Sequence, residues 1–410
     1  MKHPLLKTLD EGKLNLYRLE LGPGVHSGGF AITKSPGWLP VGMTFHPWWL
    51  EAGYDGIEVV GHSDGTTIEA GPSVGAEAAV LLGKGCGWVQ FTNLDIRGGR
   101  RQAIFAGYDA RGAHGPIESL TVALDRCTVE DSGTQGDTEW LCSSYQTDWV
   151  ISDCRINGAG ANEHCFYPRG WSRYGFAMRG TRLEGIGAEG VKISGRPSID
   201  YYPEGGWVGN HAEEDGVHPV DPAQAYVYVG HSQFRDWHQP HSWRGGAGMT
   251  VQGGGLNVLI ESSLFKARPG DHKPCLGIDD SGGEGFGPDM LAAAHRPGVP
   301  PVGHVLIRDC AFQTQGITDT EWPQHVPVVR VGYNGTQSFG EEHPIVRSFT
   351  MKRSAVLGEA TYMELKRCNG AVSLESINTP EVLAKAAEWG LEGPLSDLSL
   401  TDDYIHNFQS

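Results

Sequence analysis

The segments SLTVALDRCTV (119–129), WVISDCRI (149–156), NVLIESSLF (257–265) and HVLIRDCAF (304–312) decide the fold. Each runs through alternating apolar residues, a polar corner, one small residue, and an apolar residue two positions later. WVQFTNLDI (88–96), GFAMRGTRL (175–183) and YVYVGHSQF (226–234) fit the same template. The small-residue position holds Leu94, Cys127, Cys154, Thr181, Ser232, Ser263 and Cys310, with Cys127, Cys154 and Thr181 spaced 27 residues apart. A repeat of roughly 24 to 31 residues is too short for each unit to close its own core, so the units must stack as a solenoid. The small residues then form a ladder inside it.

Between these units lie QAIFAG (102–107), EWLCSSY (139–145), EHCFYPR (163–169), EGVKISG (189–195), AGMTVQG (247–253), PCLGIDD (274–280) and PVVRVGY (327–333). Each alternates and ends near a turn-forming residue. Two interleaved strand sets imply parallel pairing between coils, and the handedness of parallel crossovers implies right-handed winding. The pattern resembles the right-handed parallel β-helix, or pectate-lyase-like, superfamily over residues 55 to 375. That resemblance implies an all-β, single-stranded right-handed parallel β-helix solenoid of about eight to ten coils, roughly 40 to 50 Å long. Residues 1–55 read as an N-terminal cap, 56–375 as the β-helix, and 376–410 as a C-terminal cap and tail with a helix in PEVLAKAAEWG (380–390). The superfamily spans lyases, glycosidases, epimerases, esterases and non-catalytic phage spikes, so fold alone leaves the chemistry open.

Composition agrees. Gly 59 and Pro 24 make about a fifth of 410 residues, leaving little room for long helices, while 39% hydrophobic residues exclude a disordered chain. A net charge of −17, from 32 basic against 49 acidic side chains, argues against nucleic acid and anionic membrane partners. No stretch approaches the length of a membrane span, and MKHPLLKTLDEGKLN lacks the apolar core of a signal peptide. A chain whose leader had been removed would read the same. Eight Cys without a CxxC do not suggest a disulfide framework. Cys127, Cys154, Cys165, Cys275 and Cys310 read as buried free thiols, and Cys142, on the opposite parity, is the one to test. Trp48 and Trp49 read as buried cap aromatics, with an exposed sugar-stacking platform as the alternative.

On the second strand set, Ile104, Leu141, Cys165, Val191, Met249 and Cys275 are assigned to the inward side. The outward side then holds Phe105, Cys142, Phe166, Lys192, Thr250 and Leu276, with Trp140 and His164 one step earlier. Insertions at 197–224, 281–302 and 334–348 all leave from this edge, as groove walls do. Substrate contacts are therefore expected from Trp140, His164, Tyr167, Arg169, Asp215 and His218, with Tyr167 the weakest because its assigned parity points inward. Arg169, Lys192 and Arg196 form a basic patch for sugar carboxylates or sulfates, or else pair with Glu163 and Glu189. Lys192, Arg196, Asp279 and Asp280 are the catalytic candidates. Asp279–Asp280 looks like the acid motif of polygalacturonase-type hydrolases, yet the companion motifs are absent and an Asp-Asp-Ser-Gly-Gly turn cap reads better. No metal set is expected, apart from a Ca²⁺ option at Glu139, Glu163 and Glu189, which open three strands in one register. His211, His218, His231, His238 and His241 show no fixed metal-ligand spacing.

Two functions remain. The first is a virion-associated spike, on a phage head or tail, that binds a host surface glycan, forms a homotrimer or attaches to a larger particle, and acts on the virion or outside the cell. The alternative is a polysaccharide lyase or related carbohydrate-active enzyme acting on an acidic polysaccharide. Whether the chain is an enzyme stays open, with β-elimination preferred over glycoside hydrolysis if it is.

Overall fold

The computed structural model describes residues 3–34, 42–70, 78–99, 102–108, 118–130, 140–158, 164–169, 172–185, 189–194, 200–201, 207–208, 226–235, 247–252, 256–267, 274–279, 302–314, 327–331, 346–358, 362–365 and 372–391. It consists of strands in three parallel sheets with few helices, a parallel β-helix. The chain divides into two compact units, Met1–Gly187 with Pro197–Tyr226, and Ala188–Arg196 with Val227–Ser410. No helix among the described residues is long and apolar enough to cross a membrane.

In the first unit a coil reads Leu120–Asp125, Thr128–Glu130 and Trp140–Tyr145, one strand for each sheet, and the next reads Asp148–Ser152, Arg155–Asn157 and His164–Arg169. The second unit repeats the plan with Leu256–Glu261, Leu264–Lys266 and Leu276–Asp279, then Val302–Arg308, Ala311–Gln313 and Pro327–Val331. The first and second sheets hold 11 strands each; Leu16–Glu20 of the first and Phe30–Ile32 and Met43–Phe45 of the second precede residue 56, which leaves ten and nine strands for the expected eight to ten coils. A third sheet is the correction. The apolar residue beyond each corner, such as Val129 or Ile156, belongs to a separate three-residue strand.

The corner between the first and third sheets is the recurring device. Asn93, Arg126, Asp153, His231, Ser262, Asp309 and Arg353 all adopt left-handed φ values between 46° and 57° there, and Gly180 does so at 63°. Each of the seven non-glycine residues turns the chain so that its backbone N–H donates to the next coil, as from Arg126 to the Ser152 carbonyl at 2.9 Å. The small residue that follows is buried at every coil, and Ser354 extends the expected ladder. Its side chain satisfies two backbone groups at once. Ser263 Oγ donates to the Glu261 carbonyl at 2.8 Å and accepts the Ser232 N–H at 3.2 Å. Cys154 Sγ likewise meets the Ser152 carbonyl and the Cys127 N–H. Polar backbone that no strand can pair is thus bonded inside the solenoid.

Apolar side chains fill the rest. Phe234, Phe265 and Phe312 stack in the second unit at 4.5 and 5.0 Å between centroids, and Trp149, Phe166 and Phe176 meet edge-to-face in the first. All seven described cysteines are free and buried. Cys142 is among them, fully covered, with burial pushing its thiol well above the ordinary value, so it is no nucleophile. Trp49 is buried but Trp48 is 44% exposed, so only one of the pair is a core residue.

Helices cover the flanks. The C-terminal helix Pro380–Glu388 follows Pro at its first turn and buries Ala386, with Leu391 beyond it, against Leu264, Ala311 and Ala355 of the third sheet. The N-terminal helix Pro4–Glu11 buries Leu5 and Leu6, packs on the strand Asp148–Ser152, and is tied by a two-pronged ion pair from Arg179 to Asp10 at 2.8 and 2.9 Å. His3 anchors its start: Nδ1 accepts the Leu5 N–H, so the Nε2–H donates to the Tyr226 carbonyl at 3.0 Å.

Two predictions follow from these bonds. Ser263→Ala leaves the Ser232 N–H and the Glu261 carbonyl without their partner and should cost about 1–3 kcal/mol in urea unfolding, whereas Ser263→Cys should cost less. An alanine variant as stable as the parent would remove the ladder's energetic role. Burial lowers the His3 pKa from 6.5 to about 4, so the folded state holds the neutral ring. The unfolded chain takes the proton first; the His3 contribution is complete above about pH 6.5 and is lost as pH falls toward about 4, by about 3 kcal/mol. The stability difference between parent and His3→Gln should narrow over that window.

Candidate functional site

In the first unit the strands Gln102–Tyr108, Trp140–Tyr145 and His164–Arg169 of the second sheet lie in parallel register. Ile104 pairs with Cys142 and Cys142 with Phe166; Phe105 pairs with Ser143 and Ser143 with Tyr167; Trp140 pairs with His164 and Tyr145 with Arg169. Phe166 packs on Trp149 and Phe176, so its column, Cys142 included, faces the core. Tyr167 stands half-buried in the adjacent column with Phe105. The expected parity is therefore corrected at Cys142 and Phe166, which point in, and at Tyr167, which points out. Leu276 in the second unit is corrected likewise, being buried in register with Met249 and Val329.

The structure brings four of the expected contact residues together. The Arg169 guanidinium carbon sits 3.8 Å from the Tyr145 ring centroid, 5.1 Å from Trp140 and 5.0 Å from Tyr167. Tyr167 meets His164 at 5.0 Å and Trp140 at 5.7 Å, and Tyr145 meets Phe105 at 6.0 Å. Cation–π contacts of this kind stabilise a cation without neutralising it. Arg169 makes no ion pair with a described residue, and its Nε is buried without a hydrogen-bond acceptor among them. Arginines elsewhere behave otherwise: Arg155 and Arg182 pair with Glu184, Arg308 with Glu261, and Arg353 with Asp309. A positive fork surrounded by ring faces can take a planar carboxylate bidentately, and the rings can stack on a sugar.

Sequence reading missed Tyr145, although it stands five residues after Trp140 as Arg169 stands five after His164. It also missed Asp148. That carboxylate, 1% exposed, accepts the N–H groups of Ser172, Arg173, Tyr174 and Gly175 and the Ser172 hydroxyl at 2.8 to 3.0 Å. It fixes the chain that comes shortly after Arg169.

In the second unit Lys192 is half-buried, with its ammonium 3.8 Å from Glu189 Oε2, and Thr250 Oγ1 donates to Glu189 Oε1 at 2.8 Å. The pairing alternative thus holds for Lys192. A protein cation already faces Glu189, while Glu139 and Glu163, the other two carboxylates of the Ca²⁺ option, lie outside the described residues. Asp279 is placed only as a strand position, in register with Gln252. Glu139, Glu163, Arg196, Asp215, His218 and Asp280 lie outside the described residues, as do residues 281–301 and 334–345 of the insertions. Within 197–224 the described part is an antiparallel pair, Asp200–Tyr201 with Trp207–Val208.

No family model matches the chain. No curated protein matches it either. Among solved structures it is similar to the A-module of the Azotobacter vinelandii mannuronan C-5 epimerase AlgE4, at 11% identity and a TM-score of 0.46, covering 96% of this chain and 93% of that one. The AlgE6 A-module of the same organism gives 13% identity and 0.47, covering 96% and 91%. A mannuronic acid specific polysaccharide family 6 lyase from human gut microbiota gives 11% identity and 0.34, covering 98% and 92%. At these values no residue of this chain takes a role from those proteins.

Asp148→Ala would strand four backbone N–H groups in a buried place. It should cost more than about 3 kcal/mol and raise hydrogen exchange at 172–175, with Asp148→Asn intermediate. Unchanged exchange at those amides would remove Asp148 from the support of this region.

Proposed function

We propose that this β-helix binds an acidic polysaccharide on the outer side of its second sheet and acts on it as a lyase or related carbohydrate-active enzyme, removing a proton beside a uronate carboxylate. The observation that carries the reading is Arg169, held on the faces of Tyr145, Trp140 and Tyr167 with no carboxylate partner among the described residues. A uronate carboxylate bound there would have its charge offset, which stabilises the negative charge that develops when the adjacent C–H loses its proton. Tyr167, half-exposed and backed by His164, is the group placed to exchange that proton. In β-elimination the C–H electron pair forms the new double bond, the glycosidic C–O bond breaks, and the leaving oxygen takes a proton. Lys192, paired with Glu189, suits a charge contact better than a base.

A virion spike that only binds a host glycan has a use for Arg169 but none for a phenol–imidazole pair beside it. That difference favours the enzyme. Its substrate would lie outside cells.

Absorbance of the unsaturated uronate and reducing-end release, assayed across a panel of acidic polysaccharides, test the reading. Arg169→Ala and Tyr167→Phe should each lower turnover by about 10²-fold or more, with Arg169→Lys partly active. Glycan binding without turnover on any polymer would return the chain to the spike reading.

A further inference from the structure

We propose that the outer face of the third sheet in the second unit binds a carboxylate of an acidic polysaccharide, gripped between Arg235 and Lys266. The contact rests on the acidic-polysaccharide reading but not on its chemistry, and it lies on a different sheet from Arg169. Strands Gln233–Arg235 and Leu264–Lys266 pair in parallel register, which sets Arg235 directly opposite Lys266, with the backbones about 4.8 Å apart. The residues just before them, Phe234 and Phe265, are fully buried and stack at 4.5 Å between centroids. The two cations therefore stand on the outward side, where both are half-buried, and the stacked rings hold their strands in register.

Like charges directly opposite on neighbouring strands are destabilising. The first unit shows what such a pair ordinarily receives. Arg155 and Arg182 also stand opposite each other on the third sheet, and Glu184 serves both: one carboxylate oxygen takes Arg155 Nη2 and the other takes Arg182 Nη2, each at 2.7 Å. Arg97 likewise stands in register between Glu69 and Glu130 and meets Glu130 at 3.4 Å. Arg235 and Lys266 make no ion pair with a described residue. Instead, Gln233 Oε1 accepts the Arg235 Nε–H at 2.8 Å. That bond aims the guanidinium without adding negative charge, and it leaves the terminal nitrogens to a ligand. In a chain with 49 acidic against 32 basic side chains, two adjacent cations without a carboxylate are an arrangement that a bound anion would relieve. The Arg155–Glu184–Arg182 group gives the chemical class: one carboxylate with a different oxygen toward each cation, Arg235 through its planar fork and Lys266 as a point charge. A uronate residue carries that group and a neutral sugar does not.

Calorimetric titration of the full chain with a uronate oligosaccharide of defined length, and with neutral and sulfated oligosaccharides of equal length, tests the contact. It is run in the Arg169→Ala chain as well as the parent, so that binding independent of the first-unit site is read by itself. In that background Arg235→Gln and Lys266→Gln should each weaken uronate binding about 10- to 100-fold and reduce its salt dependence, with no effect on the neutral sugar. Lys266→Glu sets a carboxylate opposite Arg235; it should abolish the uronate contact and raise the melting temperature at low salt. Melting curves also identify any variant that fails to fold. Affinities within about twofold of the Arg169→Ala chain in folded Arg235→Gln and Lys266→Gln variants overturn the contact, as does tighter binding of the sulfated than of the uronate oligosaccharide. No rise in melting temperature in Lys266→Glu removes the like-charge cost on which the contact rests. Lost turnover in Arg169→Ala alongside unchanged uronate binding in the second-unit variants would overturn the contact alone. Weakened binding in those variants with no turnover on any polymer supports the contact and sinks only the enzymatic reading.

Discussion

The chain must turn a corner at every coil without leaving backbone polar groups unbonded inside a solenoid, and one hydrogen-bond column meets that demand. The left-handed residue sends its N–H to the coil above, while the next residue turns its side chain in and bonds both a carbonyl on its own coil and an N–H one coil away. A short side chain with donor and acceptor character meets both demands, which is why Cys, Ser and Thr recur. Leu94 breaks the chemistry but keeps the burial. A left-handed conformation costs a non-glycine residue of order 1–3 kcal/mol, and the fold accepts it at seven or more corners because the column beneath over-determines the turn.

Fixed corners leave each sheet an outer surface to be covered or used. The N-terminal helix lies on the strand Asp148–Ser152 of the first sheet, and the C-terminal helix packs on Leu264, Ala311 and Ala355 of the third. On the second sheet of the first unit the outer residues are instead Phe105, Trp140, Tyr145, Tyr167 and Arg169, a mixture that a packed helix would not need.

The corner column was legible in the sequence because each coil repeats one residue type at one offset from an apolar run. The parity of the second sheet was not. In QAIFAG, EWLCSSY and EHCFYPR both faces are largely apolar, since the outer face is roofed by its own aromatic rings, so alternation carries little contrast there. Aligning the strands by their opening glutamates already gave the register Trp140 to His164; following it to the strand ends would have placed Tyr145 under Arg169. The third sheet escaped because strands as short as Thr128–Glu130 look like the tail of the strand before them. Asp148 escaped for another reason: its partners are backbone amides, which no side-chain pattern records.

Net charge sharpens the meaning of Arg169. In a chain with 49 acidic side chains a surface arginine readily finds a carboxylate, as Arg18 finds Glu58, Arg97 finds Glu130 and Arg179 finds Asp10. Among the described residues Arg169 makes no such pair, and the rings of Tyr145, Trp140 and Tyr167 occupy the space around its guanidinium. On the proposed reading, the acidic surface would repel a polyanion elsewhere, so adsorption away from such a cation would be weak. The proposed acidic ligand would then be gripped at few points and released readily.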